Sequence, residues 1–584
     1  MKKKIGLQRK MRWIKTLSLV FIAVMMVSLA GCSLGDTESE ARKYTNVNFD
    51  YSAEIAATNA KTIDYTTPVA AAMGIMVTDK NGATGVEIVP SIHPENKSDF
   101  YLNALVAGNE LVFSGSGIQS VTDKIGDKAA TEMKISKDSF SIIPATINAD
   151  KPVGEIISIT LSNGNVYNIH TVNEIIPLMD IAKSDKESAE SGVYSFLIDH
   201  FLLRVNTDGN IVYYRNLDCV GENLVENFQA QDTEDGRYYT YMVELNPSLR
   251  NAMGGFSSGM YVVMDENYNE VNYVTLSAND NKNHTHGEGY LDQHEFLLLG
   301  KDHWISLSYT QEKVDNLTVP GIDGGSTAYV QAGIIQEVKN GKVIHEYNTV
   351  DYPELYASAK ESKDFAKSTN IGTADGFMDY VHVNSIAIDP KDENLLVSMR
   401  NQYAVYKFDR KTGDILWILG GSGNQFSGLE NYLDTNGNLF VGQHFARYVD
   451  SAVAGNDSTV SVFNNNTNYK ENATKTYEFN LDEKNKAAAV NVVQGNSLDP
   501  ITGKMHWATH CGSFERLSKN SSVMGWGFNA SLDMNPATIN KHAFITDYNP
   551  NSGNIAFELS VNRNANYAHP NEACFSYRVY KNVD

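Results

Sequence analysis

Cysteine is scarce in this chain: 584 residues include only Cys32, Cys219, Cys511 and Cys574. No two of them form a C-x-x-C pair, so their spacing does not indicate a structural zinc site. Once Cys32 is assigned to the leader described next, three cysteines remain, and an odd number leaves at least one thiol unpaired. A disulfide is compatible with an exported protein, but the spacing does not say which two cysteines would form it.

Long apolar runs are also scarce, because no segment after residue 31 has 18 consecutive apolar residues and none there predicts a membrane span. The first 15 residues include seven Lys and Arg and no acidic residue. Residues 16–30 (TLSLVFIAVMMVSLA) form an apolar run, and small residues precede Cys32. The apolar run is short for a transmembrane anchor, and its L-A-G-C ending is typical of a bacterial lipoprotein signal. We therefore predict a signal peptide over 1–31, a lipidated Cys32, and an extracytoplasmic protein anchored by that lipid to the cell membrane.

Basic charge is the third deficit. The chain has 48 Lys and Arg against 70 Asp and Glu, a net charge of −22, and seven of those basic residues lie in the predicted signal peptide. Such an acidic mature chain argues against nucleic acid as a partner and against attraction to anionic lipid.

Strand patterns fill the rest of the chain. After a polar tether over 32–64, short alternating segments such as GVEIVPSI and GEIISITL recur through 65–175, with turn residues about every ten positions. This pattern predicts a small N-terminal β-sandwich.

A repeat follows, in which an alternating strand runs six times into a polar turn and a second strand. The copies are LLRVNTDGNIVYY, YVVMDENYNEVNYV, GIIQEVKNGKVIHEY, AVYKFDRKTGDILWIL, TYEFNLDEKNKAAAVNVV and AFITDYNPNSGNIAFEL. Each is typical of an outer hairpin, and several have another strand pair upstream. Serial four-stranded units indicate a six-bladed β-propeller over 176–584, closed by the C-terminal CFSYRVYK pairing with the first blade. Stacked β-sandwiches, the alternative, would not require one hairpin type in every repeat.

Polar residues stand out in one strand pair, YVHVNSIAIDPKDENLLVSMR at 380–400. His382 and Asn384 have the parity of Ile386 and Ile388, so a polar end would precede a packed one on the same face. Arg400 ends the neighbouring strand. In a propeller these positions open onto the mouth of the central channel, where a ligand site is expected.

Two other blades offer a histidine at a similar place. His294 precedes the apolar run FLLL, and His444 lies in NGNLFVGQHFARYVD. Three imidazoles and a guanidinium meeting at one mouth would suit sulfate, phosphate or carboxylate.

These stretches resemble the bacterial aryl-sulfate sulfotransferases that do not use an adenylyl sulfate donor. The likeness is carried by HVNSIAIDPKDENLLVSMRNQYAVYKFDRKTGDILWILGG, QHEFLLLGKDHWISLSYT, GQHFARYVD, GSFERLSKNSSVMGWG and SYRVYK, and it spans most of 190–584. It implies an all-β fold with a small N-terminal sandwich and a six-bladed propeller. It also implies transfer of a sulfuryl group from a phenolic sulfate ester to an acceptor phenol through a sulfated histidine, no metal or nucleotide cofactor, and a homodimer.

Residue by residue, the resemblance makes His444 the nucleophile. It places His294, His382 and Arg400 among the catalytic groups and Asn384 in substrate binding. Either His294 or His382 would protonate the leaving phenolate and later deprotonate the acceptor, since imidazole has a pKa near 6.5; the sequence leaves that choice open.

The chain departs from the family pattern at two places. Glu295 follows His294 where the family usually has Asp, and Phe445 follows His444 where a small polar residue is common. Neither change removes a catalytic group, and the second alters the substrate pocket.

Other functions remain open from the sequence. A formylglycine sulfatase is disfavoured because no C-x-P-x-R-like element occurs, but an aryl-sulfate hydrolase could use the same pocket. A propeller lipoprotein that only binds a ligand or partner would not bring the named residues together.

Two further alternatives concern single stretches. The loop NHTHGEGYLDQHE, with His284 and His286, could bind a metal, although a glycine-bearing polar loop is the simpler interpretation. His510 beside Cys511 could mimic a Cys–His nucleophile, but adjacent strand residues face opposite sides.

Overall fold

The computed structural model describes residues within 76–583. Inside these limits it omits 80–85, 91–97, 105–110, 126–128, 143–154, 173–178, 186–187, 199–200, 208–210, 218–223, 246–255, 281–284, 320–321, 361–377, 422–425, 427, 435–439, 467–473, 483, 495–506, 530–541 and 562–575. The predicted signal peptide, the lipidation site at Cys32 and the tether therefore lie outside the described residues, as do Cys219, His284 and Cys574.

Nine strands between residues 76 and 172 form the N-terminal sandwich. Its smaller sheet contains β1 (Met76–Asp79), β4 (Leu111–Ser114) and β7 (Ser139–Ile142). Its larger sheet has the order β2 (Val86–Pro90), β3 (Asp99–Ala104), β9 (Val166–Val172), β8 (Glu155–Leu161), β5 (Ile118–Ile125) and β6 (Thr131–Glu132). Phe113 of the smaller sheet packs with Ile157 and Ile169 of the larger one, so one apolar core joins the two sheets.

Six four-stranded antiparallel sheets follow, which we call blades 1 to 6 in chain order. From the inner strand outward, the first three have these strands. Blade 1 contains β39 (Tyr580–Val583), β11 (Gly192–Ile198), β12 (Phe201–Asn206) and β13 (Ile211–Asn216). Blade 2 contains β14 (Val225–Thr233), β15 (Gly236–Glu244), β16 (Gly259–Met264) and β17 (Glu270–Val274). Blade 3 contains β20 (Phe296–Gly300), β21 (His303–Val319), β22 (Ile322–Lys339) and β23 (Lys342–Asn348).

The other three blades repeat this order. Blade 4 contains β24 (Val383–Ile388), β25 (Leu395–Met399), β26 (Ala404–Phe408) and β27 (Ile415–Gly420). Blade 5 contains β29 (His444–Tyr448), β30 (Thr459–Asn464), β31 (Lys475–Asp482) and β32 (Ala487–Gln494). Blade 6 contains β34 (Ser513–Arg516), β35 (Ser522–Gly525), β37 (His542–Asn549) and β38 (Asn554–Val561).

The six hairpins predicted from the repeat are the third and fourth strands of the six blades, so that prediction is confirmed. The C-terminal strand β39 pairs antiparallel with β11, as expected for a ring closed by the end of the chain. The fold is therefore all-β, with a six-bladed propeller after a small sandwich.

Apolar side chains form one cluster between each pair of neighbouring blades. Successive strand residues point to opposite faces, so one strand serves two clusters. In β25, for example, Leu395 and Val397 pack toward blade 3, whereas Leu396 packs toward blade 5. A sixth cluster joins blade 6 to blade 1, and this closes the ring.

The remaining elements are short. β10 (Met179–Ser184) adds to the outer edge of blade 6, and β28 (Glu430–Asp434) links the outer strands of blades 4 and 5. Two small sheets pair β18 (Asn279–Asp280) with β19 (Thr285–His286) and β33 (Ala508–His510) with β36 (Phe528–Asn529). Within the described residues, the helices are α1 (Glu354–Ser358) and α2 (Ser451–Ala454), with 3-10 turns at Thr349–Asp351 and Arg400–Gln402. Among the described residues, no helix has the length and apolar character needed to cross a membrane.

Candidate active site

Left-handed backbone marks the start of the inner strand in four blades. The φ angles are 54° at Asn227, 49° at His382, 51° at Phe445 and 60° at Cys511. Such angles are unfavourable for residues other than glycine, and they concentrate at functional sites. Next to the first three, the strand pairing also shifts in register, which bends the strand and redirects its side chains.

One consequence is a correction to the sequence analysis. His382 precedes β24, and the ladder passes from Val383 opposite Met399 to Ser385 opposite Ser398. Asn384 is thus the extra residue of a bulge. The expectation that His382 and Asn384 continue the strict alternation of the packed residues after them is wrong, because the bulge sets their directions.

The three predicted histidines nevertheless meet at one end of the channel. The ring centroids of His294 and His382 are 5.0 Å apart. The ring of Tyr577 lies 5.3 Å from His294 and 6.5 Å from His444, so it bridges them. All three imidazoles are buried. Phe256 packs 4.6 Å from His382, which gives the cluster an aromatic wall.

Two of these histidines bond through Nδ1 to a carboxylate. His294 Nδ1 bonds to Asp292, whose carboxylate also accepts from the backbone N–H groups of His294 and Ser257. His382 Nδ1 lies 2.6 Å from Oδ2 of Asp379. A carboxylate at Nδ1 orients the ring and stabilises the imidazolium form, which suits groups that transfer protons.

His444 has a different environment. Its Nδ1 lies 2.7 Å from Oδ1 of Asn465, and its Nε2 accepts from the backbone N–H of Cys511 at 3.3 Å. Burial first, and then the charges of Arg400 and His382, lower the pKa of His444 well below its usual range. A neutral imidazole carries a lone pair on one ring nitrogen, which makes it a competent nucleophile.

Arg400 supplies a permanent positive charge to the same mouth. It begins the 3-10 turn after β25, and its Nη1 donates to Oδ1 of Asn401 at 2.7 Å. Burial lowers the pKa of His382 well below its usual range, and the charges of His294 and Arg400 act in the same direction. Imidazoles held neutral beside a guanidinium form a site suited to an anion.

Asn384 is fully buried, and its Nδ2 donates to the backbone carbonyl of Gln443 at 2.6 Å. Nε2 of Gln443 in turn donates to the carbonyls of Met399 and Ala404. The two side chains therefore hold the segment that carries His444.

Glu295, the family departure, lies in a second charged layer. Its carboxylate bonds to Arg578 at 2.9 Å and to Arg447 at 2.8 Å, and it accepts from the backbone N–H of Ile386 at 3.1 Å. Although burial alone would raise it, the two guanidiniums hold the pKa of Glu295 below its ordinary value. These bonds tie blades 3, 4 and 5 to the C-terminal segment. The other departure, Phe445, is buried beneath the guanidinium of Arg447, with 3.9 Å from Cζ to its ring centroid.

Sequence reasoning missed four residues of the site as partners of the histidines: Asp292, Asp379, Asn465 and Tyr577. The two carboxylates lie two and three residues before their histidines, so the short spacings D-x-H and D-x-x-H were available signals. Tyr577 is buried, and among the described residues its hydroxyl has no hydrogen-bond partner.

The structure also bears on the alternatives. Burial raises the pKa of the Cys511 thiol far above its usual value, which makes it a poor nucleophile, and the ring of His510 stacks on Phe528 instead. Nε2 of His286 pairs with Glu346 at 3.1 Å, away from His294. No group of three or more metal-ligating side chains occurs in the part of the chain that the structure describes.

Fold and site together define a β-propeller with a histidine-rich channel mouth. Residues 247–537 match the family model described as arylsulfotransferase (ASST). This region therefore belongs to the arylsulfotransferase family, and the resemblance noted in the sequence is confirmed. All five predicted site residues lie within this region: His294, His382, Asn384, Arg400 and His444.

No curated protein matches the chain. Among solved structures, a Bacteroides caccae protein of unknown function is 10% identical, with 67% of this chain and 98% of that one covered and a TM-score of 0.34. The periplasmic gluconolactonase PpgL of Pseudomonas aeruginosa is 9% identical, with 68% and 100% covered and a TM-score of 0.32. The Cps50 (Swd1) β-propeller domain of Myceliophteria thermophila is 9% identical, with 65% and 88% covered and a TM-score of 0.30. At these TM-scores the likenesses carry no argument, and the fold rests on the strand pairings.

Proposed function

We propose that this chain moves a sulfuryl group from a phenolic sulfate ester to an acceptor phenol through a sulfated His444. The observation that carries the proposal is a buried, neutral imidazole placed beside Arg400 and two carboxylate-bound imidazoles at one channel mouth. The aromatic rings of Phe256, Tyr309 and Tyr577 around these groups support an aryl substrate.

In the first half-reaction, Nε2 of His444 attacks sulfur. A nitrogen–sulfur bond forms as the bond from sulfur to the phenolic oxygen breaks, and the leaving phenolate takes a proton from the pair His294 and His382. The charge developing on the sulfonate oxygens is stabilised by Arg400. Because the two imidazoles are in contact, we assign the proton transfer to the pair and not to one member.

The second half-reaction is the reverse with a new phenol. The imidazole pair removes the proton of the acceptor hydroxyl, its oxygen attacks sulfur, and the nitrogen–sulfur bond to His444 breaks. No group is oxidised or reduced, and the proton taken from the acceptor replaces the one lost to the donor. This balance requires no metal or nucleotide cofactor.

Asn384 acts in this scheme through its neighbour. Its amide nitrogen donates to the carbonyl of Gln443, so we propose that it holds the Gln443–His444 segment in place beneath the sulfonate.

We further propose that the protein is exported and lipid-anchored at Cys32, because the leader and its L-A-G-C ending are typical of lipoproteins. A mass spectrum of the mature N-terminal peptide would show the lipidated cysteine; an unmodified N-terminal Met would overturn this part.

The deciding experiment mixes the full chain, purified in detergent, with a chromogenic aryl sulfate, with and without a second phenol. The expected result is phenol-dependent release, a sulfated acceptor, and loss of both in His444→Ala. Release that needs no acceptor would indicate a hydrolase using the same pocket. Full activity in His444→Ala would overturn the nucleophile, and no release from any aryl sulfate would favour a binding protein.

A further inference from the structure

The partners of His444 specify more than its position. Nδ1 of His444 faces two oxygens, Oδ1 of Asn465 at 2.7 Å and the carbonyl of Gly442 at 3.2 Å. If the side chain of Asn465 is oriented as it stands, both oxygens are acceptors, and an acceptor pair requires a proton on Nδ1.

The orientation of the Asn465 amide is fixed by its own bonds. Its Nδ2 donates to the carbonyl of Ala508 at 3.0 Å and to the carbonyl of Cys511 at 2.9 Å. Exchanging the amide nitrogen and oxygen would set Oδ1 against two carbonyl oxygens and would direct an NH₂ group at Nδ1. That exchange would lose both hydrogen bonds to the carbonyls, and Asn465 is completely buried from water.

The other ring nitrogen agrees. Nε2 of His444 lies 3.3 Å from the backbone nitrogen of Cys511, which can only donate. Nε2 therefore carries the lone pair of the ring and no proton. Two independent observations, one at each nitrogen, thus point to the same neutral tautomer.

We propose that Asn465 is a positioning residue that fixes the neutral Nδ1–H tautomer of His444 and so makes Nε2 the nitrogen that accepts the sulfuryl group. The inference rests on the proposed function for its kinetic consequence, but the tautomer itself is a property of the free protein. A neutral amide suits this role because it holds the proton on Nδ1 without adding the negative charge that would favour the imidazolium. In the other tautomer the proton would occupy the attacking nitrogen.

The test compares Asn465→Leu, Asn465→Asp and a matched control, Thr474→Val. The hydroxyl of Thr474 forms hydrogen bonds with the backbone of Ala508, the residue whose carbonyl also accepts from Asn465. None of the hydrogen bonds found for Thr474 reaches His444. The control therefore loosens the same loop and leaves the imidazole's partner in place. Full chains labelled with ¹⁵N-histidine report the tautomer of His444 by NMR, and the spectrum of His444→Gln identifies its signals.

In Asn465→Leu we expect mixed tautomers and a fall in kcat of roughly 10²-fold or more with KM little changed, because an outer-shell partner that fixes a tautomer affects the chemical step. Thr474→Val should keep the Nδ1–H tautomer and lose less than about fivefold. Asn465→Asp keeps an acceptor at Nδ1, so its folded fraction should keep the tautomer and most of kcat. Its second oxygen replaces the donor to the carbonyls of Ala508 and Cys511, so the variant should also lose stability. Its acid limb should move to higher pH, since a carboxylate favours the imidazolium against the opposing charges of Arg400, His382 and His294.

Three results would overturn the proposal: an unchanged tautomer and kcat in Asn465→Leu, an equal loss of kcat in Thr474→Val, or an inactive Asn465→Asp with mixed tautomers. If the wild type transfers no sulfuryl group, the proposed function fails by itself. The NMR comparison then still decides whether Asn465 fixes the tautomer.

Discussion

Two charged layers adjoin at the neighbouring residues His294 and Glu295: the mouth, with the three histidines and Arg400, and the deep layer, with Glu295, Arg447 and Arg578. In the layer around Glu295, each charge has an opposite charge at about hydrogen-bond distance, from Arg447 and Arg578. At the mouth, Arg400 lies near His382 and His444, and its charge adds to the effect of burial in lowering the pKa of both.

The difference separates scaffold from chemistry. In the layer around Glu295, one carboxylate pairs directly with two guanidiniums, and such paired buried charges hold their elements together. At the mouth, burial and the charge of Arg400 favour the neutral form of His382 and His444, and such a site suits a bound anion. We therefore expect substitutions in the deep layer to cost stability and substitutions at the mouth to cost activity.

The largest effect on activity, apart from loss of His444, is expected for Arg400→Gln. Without the guanidinium the sulfonate loses a charged donor, so kcat/KM should fall on the order of 10²–10³-fold. The pKa of His444 and His382 should rise, because Arg400 now lowers both, and the acid limb of the pH–rate profile should move to higher pH. Steady-state kinetics across pH measures both changes.

The matched control for that change is Arg410→Gln. Arg410 lies in the same blade but pairs with Glu337 at 2.6 Å, outside the cluster of histidines. Its kinetics should match the wild type. A kcat/KM for Arg400→Gln within twofold of the wild type would contradict the anion-binding role of the mouth.

Glu295→Gln tests the deep layer. Removing one partner leaves Arg578 buried without its counter-charge, which typically costs about 3–5 kcal/mol in the free energy of unfolding. Denaturant unfolding, monitored by the fluorescence of the tryptophans in the propeller, would measure the loss of stability. We expect the folded fraction to keep activity well above that of Arg400→Gln.

A surface pair provides the comparison for Glu295. Arg237 and Asp232 also form an ion pair, with 37% and 61% of their side chains exposed. Arg237→Gln should therefore change the free energy of unfolding by no more than about 0.5 kcal/mol. Equal stability of Glu295→Gln and Arg237→Gln would show that the deep layer does not hold the blades.

The sequence predicted those features of the fold and the site whose signals lie within one short segment of the chain. The outer hairpins are local, since their turns and alternation lie within about 20 residues, and all six were predicted. The convergence of His294, His382 and His444 followed from the geometry of a propeller, in which every inner strand begins at one mouth.

The partners were harder, because they depend on the register between distant strands. Asn465 lies 21 residues after His444, and Arg578 lies 283 residues after Glu295. The bulge at Asn384 could not be predicted either, because hydrophobic alternation does not indicate that the backbone of His382 is left-handed. These are the positions where local rules give way to the needs of the site.

The last of the expected effects is a pH dependence carried by Asp379. Burial raises the pKa of Asp379 to about 7, against the opposing charge of Arg400. An unfolded aspartate titrates near 3.9, so the folded state holds this proton more tightly, and stability falls as pH rises from about 4 to 7. Asp379→Asn has no proton to lose. The difference in the free energy of unfolding between the variant and the wild type should therefore shift in favour of the variant as pH rises across that window, by at most about 4 kcal/mol.

The kinetics of Asp379→Asn should follow the same titration. Below pH 7 the wild-type carboxyl is already neutral, so the variant should resemble it. Above pH 7 the wild type gains a carboxylate at Nδ1 of His382, which stabilises the positive charge that the ring acquires during proton transfer, so the variant should fall behind. Asp232→Asn is the control, since its hydrogen bond with Arg237 lowers the pKa of that carboxyl and its effect should appear only in acid. A ratio of Asp379→Asn to wild-type kcat/KM that stays constant from pH 6 to 8 would show that this carboxyl is no part of the proton-transferring pair.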